Sequence, residues 1–185
     1  VITLVGGKLT TFRSVAQQIA DRIIRNLRRT RSQLTDHRVI IGGENFPADD
    51  ESRNTLWLQW TKEYTTSVEE IADLWPLYGM QIPQILRQVS ELPCIPVAGT
   101  NLSQRVVRWV IENEWIGTTN PLDDLVERRL MLIFAPNLSL ATLKDLAEVL
   151  VPCQRLTPDA VGTTIEATRE RLRRHYGRNQ IGRAH

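Results

Sequence analysis

A mainly α-helical protein with one strand–helix unit at its front is predicted by three features of the 185-residue sequence. Apolar residues recur at i, i+3, i+4 and i+7 through most of the chain. The segments carrying this period are separated by a few residues rich in Pro, Gly, Ser and Asn, which start and stop helices. Val1-Ile2-Thr3-Leu4-Val5, by contrast, has the continuous, β-branched character of a buried strand.

Gly6-Gly7 follows that strand, and helical spacing begins at Phe12 and continues through Val15, Ala16, Ile19, Ala20, Ile23, Ile24 and Leu27. Thr10 or Thr11 is the expected N-cap. A strand–Gly-Gly–helix junction aims backbone N–H groups and a positive dipole end at whatever lies above the turn, which suits an anion. It serves equally well as a plain strand-to-helix turn, because neither G-x-G-x-x-G nor G-x-x-x-x-G-K-[ST] is present.

Polar residues follow, then the apolar run Arg38 to Gly43, which reads as a linker. Pro47 and the acidic Asp49-Asp50-Glu51 open a helix carrying Leu56, Trp57, Trp60 and Tyr64. Ser67-Val68-Glu69-Glu70 has the form of a capping box for a helix through Ile71, Leu74, Trp75 and Tyr78, ended by Gly79. Ile82, Ile85, Leu86 and Val89 form a short helix. Pro93, Pro96 and Gly99 then break the chain before a helix from Ser103 with Val106, Val107, Val110, Ile111 and Trp115 on one face.

Asn120 caps the next helix, with Pro121 at its first position and Leu125, Leu132 and Ile133 as its buried stripe, as far as Pro136-Asn137. Asp124 and Arg128 are four apart on it and face each other. Ser139 opens a helix through Leu143, Leu146 and Leu150. Thr157-Pro158-Asp159 opens the last one, through Ile165, Thr168 and Leu172 to Tyr176, with Gly177 as its C-cap. The five tryptophans fall mainly on helical stripes and read as core. The expected division is a strand and helix over 1–29, a linker over 30–44, a helical domain over 45–177 that folds by itself, and a flexible tail over 178–185.

Composition excludes several classes. No apolar run reaches the roughly 18 residues of a membrane-spanning helix, and no signal-peptide pattern is present. A net charge of +2 demands no polyanionic partner. The arginines cluster at two helix C-terminal ends, around Arg25 to Arg31 and Arg169 to Arg178, where the dipole favours cations. Nucleic-acid or membrane binding through them is the alternative use. Cys94 and Cys153 lack C-x-x-C spacing and a neighbouring His, which argues for free thiols in a reducing compartment rather than metal ligands. His37, His175 and His185 have no partner at useful spacing. Beginning inside a strand, the sequence reads as a piece of a longer protein.

Three places carry a family resemblance. Gly6-Gly7-Lys8-Leu9-Thr10-Thr11-Phe12-Arg13 resembles the G-G-K-L-T-T-[YF]-R turn of FAD-dependent glycerol-3-phosphate dehydrogenases and the related α-glycerophosphate oxidases. Val39 to Phe46 is similar to that family's Gly-Gly lead-in to its C-terminal helical domain, and Leu77-Tyr78-Gly79 to its Tyr-Gly helix end. Val110 to Trp115 followed by Leu122 to Arg129 resembles its acidic helix and D-x-x-x-R-R. Gly117 to Pro121 and Met80 to Pro83 depart from the family pattern.

The resemblance implies that residues 1–29 are the last strand and helix of an FAD domain whose remainder is missing, followed by the C-terminal helical domain of an α/β oxidoreductase. It implies FAD as cofactor, glycerol 3-phosphate as substrate, and electrons passed to quinone or oxygen, with no metal and no nucleic acid. The location implied is the cytoplasm, peripheral on the inner membrane face where quinone is the acceptor. Lys8 is implied as the active-site cation, and Gly6, Gly7, Leu9 and Thr10 as the cofactor-binding turn. Asp124, Arg128 and Arg129 are expected to join helices. The rivals are a free-standing helical interaction or nucleic-acid-binding module and, within flavoenzymes, an amino-acid oxidase relative.

Overall fold

The computed structural model describes residue 3 and residues 8–30, 38–117, 119–179 and 181. The chain is mainly α-helical and divides into two compact units, Val1–Glu44 and Asn45–His185. Among the described residues there is no strand, and the β-type pairing present is an isolated antiparallel bridge between Pro96 and Ser103. The expected strand at Val1–Val5 lies outside the described residues apart from Thr3, which has no regular structure.

In the first unit a 3-10 turn over Leu9–Thr11 leads into α1 (Phe12–Asn26). Thr11 occupies the cap position but makes no side-chain cap bond. Its N–H and its hydroxyl both donate back to the Lys8 carbonyl at 3.0 Å, which the preceding 3-10 turn brings within reach. None of the residues of α1 is fully buried: of the apolar stripe, Val15, Ile19, Ala20 and Ile24 are half-buried and Phe12, Ala16, Ile23 and Leu27 are exposed. The side chain of Arg13 donates to the carbonyl of Arg38 at 2.8 Å.

The second unit holds α2 (Asp50–Glu63), α3 (Val68–Tyr78), α4 (Ile82–Gln88), α5 (Gln104–Asn113), α6 (Pro121–Asp124), α7 (Leu140–Leu150) and α8 (Val161–Tyr176). Their starts follow from the sequence. Asp49 accepts from the Ser52 N–H at 2.7 Å, Asn120 from Leu122 and Asp123 at 3.2 Å, and Ser139 forms a complete capping box with Thr142. The core centres on α5, whose Val106, Val107, Val110 and Ile111 are fully enclosed, packed on α7 with its Leu143, Leu146 and Leu150. Trp75 gathers Phe46, Trp57 and Trp60 within 4.9–6.1 Å into an aromatic cluster under α2 and α3.

Four sequence expectations are corrected. Glu70 does not close a capping box. Its N–H donates to the Ser67 hydroxyl oxygen at 3.0 Å, but its buried carboxylate turns inward and accepts from the N–H and hydroxyl of Ser103 at 2.7 and 2.6 Å and from the Thr66 hydroxyl at 2.7 Å. The helix from Pro121 does not run to Phe134. It widens into a π-helical turn over Leu125–Arg129 and stops there, because Met131 takes a left-handed conformation at φ 53°. Leu132–Phe134 is a separate 3-10 turn. Trp115 lies beyond the end of α5 and is 69% exposed, so it is not a core residue. The segment expected to fray after Gly177 is held at its start: Arg178 donates to the carbonyls of Ile133 and Ala135, and Ile181 is buried.

Since its helices bury a core of their own, the second unit is expected to resist protease while the 28–44 region is cut. Limited trypsin digestion should leave a stable fragment starting after Arg38. Early cleavage throughout 45–177 would contradict this.

Candidate functional site

The cofactor-turn residues implied by the resemblance sit in the first unit. Gly6 and Gly7 lie outside the described residues, as does the side chain of Leu9. Lys8 and Thr10 are exposed, and Lys8 makes no ion pair among the described residues. An unpaired ammonium next to a helix start suits an anion. The described residues around it form no pyrophosphate cradle, for which the fingerprint glycines and an acidic ribose partner are needed.

The D-x-x-x-R-R segment builds a dense polar cluster in the second unit. The Asp124 carboxylate, 3% exposed, accepts from Arg128 Nη1 at 2.9 Å, Arg129 Nε at 3.2 Å and the Gly117 N–H at 3.2 Å. Arg129 reaches on to Glu114 at 3.2 Å and lies over the Trp115 ring at 6.0 Å. Glu114 in turn accepts from the Tyr78 hydroxyl at 3.0 Å, while the Tyr78 ring stands edge-on to Trp109. One chain of contacts thus ties the ends of α3 and α5 to α6.

The π-turn explains why two successive arginines serve one acid. The wider turn places both Arg128 and Arg129 toward Asp124, at separations of four and five residues. Burial pushes the Asp124 carboxyl up, but the Gly117 N–H and the two guanidinium groups outweigh it and hold it below its ordinary value. Burial, with Glu114 adding to it, pushes the Tyr78 phenol well above its usual range. Every carboxylate oxygen here is engaged, so the cluster is built to join helices rather than to bind or to transfer a proton.

No family model gives a significant match to the chain, and no curated protein or solved structure does so.

A parallel cluster fixes α8. Glu127 accepts twice from Arg171, at 2.5 and 3.0 Å, and that pairing is the largest influence lowering its carboxyl. Asp123 is 3.8 Å from the same arginine. Burial raises its carboxyl, and its Oδ1 is buried without a partner. Arg169 pairs with Glu166, and Arg173 and Arg174 with Glu170. These pairings lower the positive potential that the end of α8 offers to a polyanion.

The sequence reading missed Tyr78, Glu114 and Gly117 as members of the Asp124 cluster, since Tyr78 is 36 residues from Glu114. Glu70 and Arg105, both buried, were missed as well. Glu70 has the spacing of a capping-box acid, and Arg105 falls beside Val106 and Val107 at the start of α5.

Acid should act through Asp124 and Glu127. Their folded-state carboxyls are lowered, so their contribution is complete above their ordinary values of 3.8 and 4.5 and is lost as pH falls through the folded values below those. Asp123, raised, works in the opposite direction. The stability gap between the wild type and Asp124→Asn should therefore stay constant from about pH 7 to about pH 5 and narrow below about pH 4. Urea melts at several pH values check this. A gap that widens in acid would contradict it.

Proposed function

We propose that this chain is the C-terminal portion of a flavin-dependent dehydrogenase or oxidase acting on glycerol 3-phosphate, with its flavin turn in the first unit and its helical domain in the second. The observation that carries the reading is the run Gly6-Gly7-Lys8-Leu9-Thr10-Thr11-Phe12-Arg13. It is supported by a helix that starts within this run, at Phe12, by an exposed Lys8 that makes no ion pair among the described residues, and by the exposed apolar residues Phe12, Ile23 and Leu27 of the α1 stripe, which a larger domain would bury. The Asp124 cluster in the D-x-x-x-R-R segment supports the second half of the resemblance as a structural motif.

The chemistry that a bound FAD would supply is hydride acceptance from C2 of glycerol 3-phosphate, with the electrons passed on to quinone or oxygen. The residues of this chain position and stabilise. The start of α1 would offer its positive dipole end to the negative charge that reduction leaves on a flavin held there. Lys8 supplies a cation to that charge or to the substrate phosphate. The helical domain holds its own packing through the Asp124 cluster.

The residues present fit one edge of a flavin site and no more. The chain alone is therefore expected neither to retain FAD through gel filtration nor to reduce a dye with glycerol 3-phosphate. Stoichiometric co-elution of flavin, or substrate-dependent turnover, would show that a complete site lies within these residues and would overturn this reading.

A further inference from the structure

Two carboxylates share one guanidinium where α8 meets α6. Arg171, on α8, gives Nε and Nη2 to Glu127 at 2.5 and 3.0 Å, a two-pronged pairing that commits its planar fork. Asp123, four residues before Glu127, is left with the remainder. Its Oδ2 lies 3.8 Å from the same Nε, at the outer edge of an ion pair, and its Oδ1 is buried with no hydrogen-bond partner among the described residues. Both acids are mostly enclosed, with side chains 19% and 7% exposed. A buried acceptor without a donor destabilises the fold and is uncommon in native proteins, so this one needs a physical reason.

The surroundings supply it. Burial disfavours the charged form of Asp123 and Glu127 repels it, while from α8 the Thr168 hydroxyl and Arg171 favour it; burial prevails. Arg128 and Arg129, on the same turn as Glu127, are both taken up by Asp124. The other helix packed on α6 is α7, with Lys144, Asp145 and Glu148. Lys144 and Glu148 are exposed, and Asp145 accepts from the Ala98 N–H at 2.7 Å. A charged Asp123 therefore has too little positive charge to meet. A neutral one changes role, because a protonated carboxyl is a donor as well as an acceptor, and the repulsion from Glu127 ends with its charge.

We propose that Asp123 is a proton-operated latch on α8: neutral, it leaves the Arg171–Glu127 pairing to hold the helix on α6, and charged, it loosens that attachment as a second, unpaired carboxylate. The effect reaches past α8 itself. Arg178, just after its end, donates to the carbonyls of Ile133 and Ala135, so α8 also fixes the 3-10 turn that follows Met131. A carboxyl raised in the folded state contributes stability that is fully present below its ordinary value of 3.8 and is lost as pH rises through the folded value above it. Asp123 thus loosens α8 as pH rises, the reverse of the acid effect of Asp124 and Glu127. This inference is independent of the flavin reading, because every residue it uses lies in the second unit.

Amide hydrogen exchange of the full chain tests it, read as protection factors at pH 4 and pH 7 for the wild type and Asp123→Asn. Comparing the two at each pH cancels the titration of Asp124 and Glu127, which both proteins share. The ratio of α8 protection, wild type over Asp123→Asn, should fall by roughly two- to tenfold from pH 4 to pH 7, with a smaller change in the α5 amides that report opening of the whole unit. The same comparison in a Glu127→Gln background should be nearly level, because the repelling charge is gone and Arg171 is released to Asp123. A ratio that is constant or rises with pH would overturn the inference. So would an equal fall in the α5 amides, or a pH dependence that survives undiminished with Gln at 127.

Discussion

Asp124→Ala is expected to lower the unfolding free energy by about 3–5 kcal/mol, the range for removing one partner of a buried ion pair. The substitution leaves the Gly117 N–H and the inward side of Arg129 without their acceptor, and Arg129 is itself three-quarters buried. Arg128→Ala is the matched control. That side chain is 64% exposed, so its loss should cost within the range of about 0.2–1 kcal/mol for a surface pair. Denaturant midpoints at constant slope measure both. Equal, small shifts would mean that the cluster is no more than a surface pair.

Lys8→Ala should have the largest effect on activity in any flavin-loaded protein that carries these residues. If the exposed ammonium meets the reduced flavin or the substrate phosphate, removing it should lower turnover on the order of 10²-fold, by analogy with losing one preorganised donor to developing charge. Flavin should stay bound, because the rest of its cradle lies elsewhere. Loss of flavin with unchanged turnover per bound flavin would give Lys8 a binding role instead.

Helix starts were the most legible part of the sequence, because caps act locally. Asp49, Ser67, Asn120 and Ser139 accept from N–H groups two or three residues ahead, within the window that spacing can read. Gly79 and Gly177, both with positive φ, end α3 and α8 for the same local reason. The helix from Pro121 was misjudged where a tertiary demand overrode periodicity. Two arginines converge on one buried acid, the helix opens into a π-turn, and Met131 leaves it left-handed. Trp115 was misplaced because apolar spacing cannot tell a residue on a helix from one just beyond its end.

The site was legible only as residue types. Asp124 with Arg128 could be paired from their four-residue spacing, whereas Gly117, Glu114 and Tyr78 join through contacts that no local pattern encodes. Glu70 shows the same limit from the other side. A Ser-x-x-Glu pattern has a local use, and here the acid serves a residue 33 positions away instead.

The most direct measurement is made on a chimaera in which residues 1–177 replace the corresponding C-terminal portion of a flavin-dependent glycerol-3-phosphate dehydrogenase. Its flavin content and its glycerol 3-phosphate-dependent dye reduction would be followed together. The account predicts stoichiometric flavin and substrate-dependent reduction that falls in the Lys8→Ala version while the flavin remains. A folded, flavin-loaded chimaera that reduces no dye with glycerol 3-phosphate, or whose reduction is indifferent to Lys8, would contradict it.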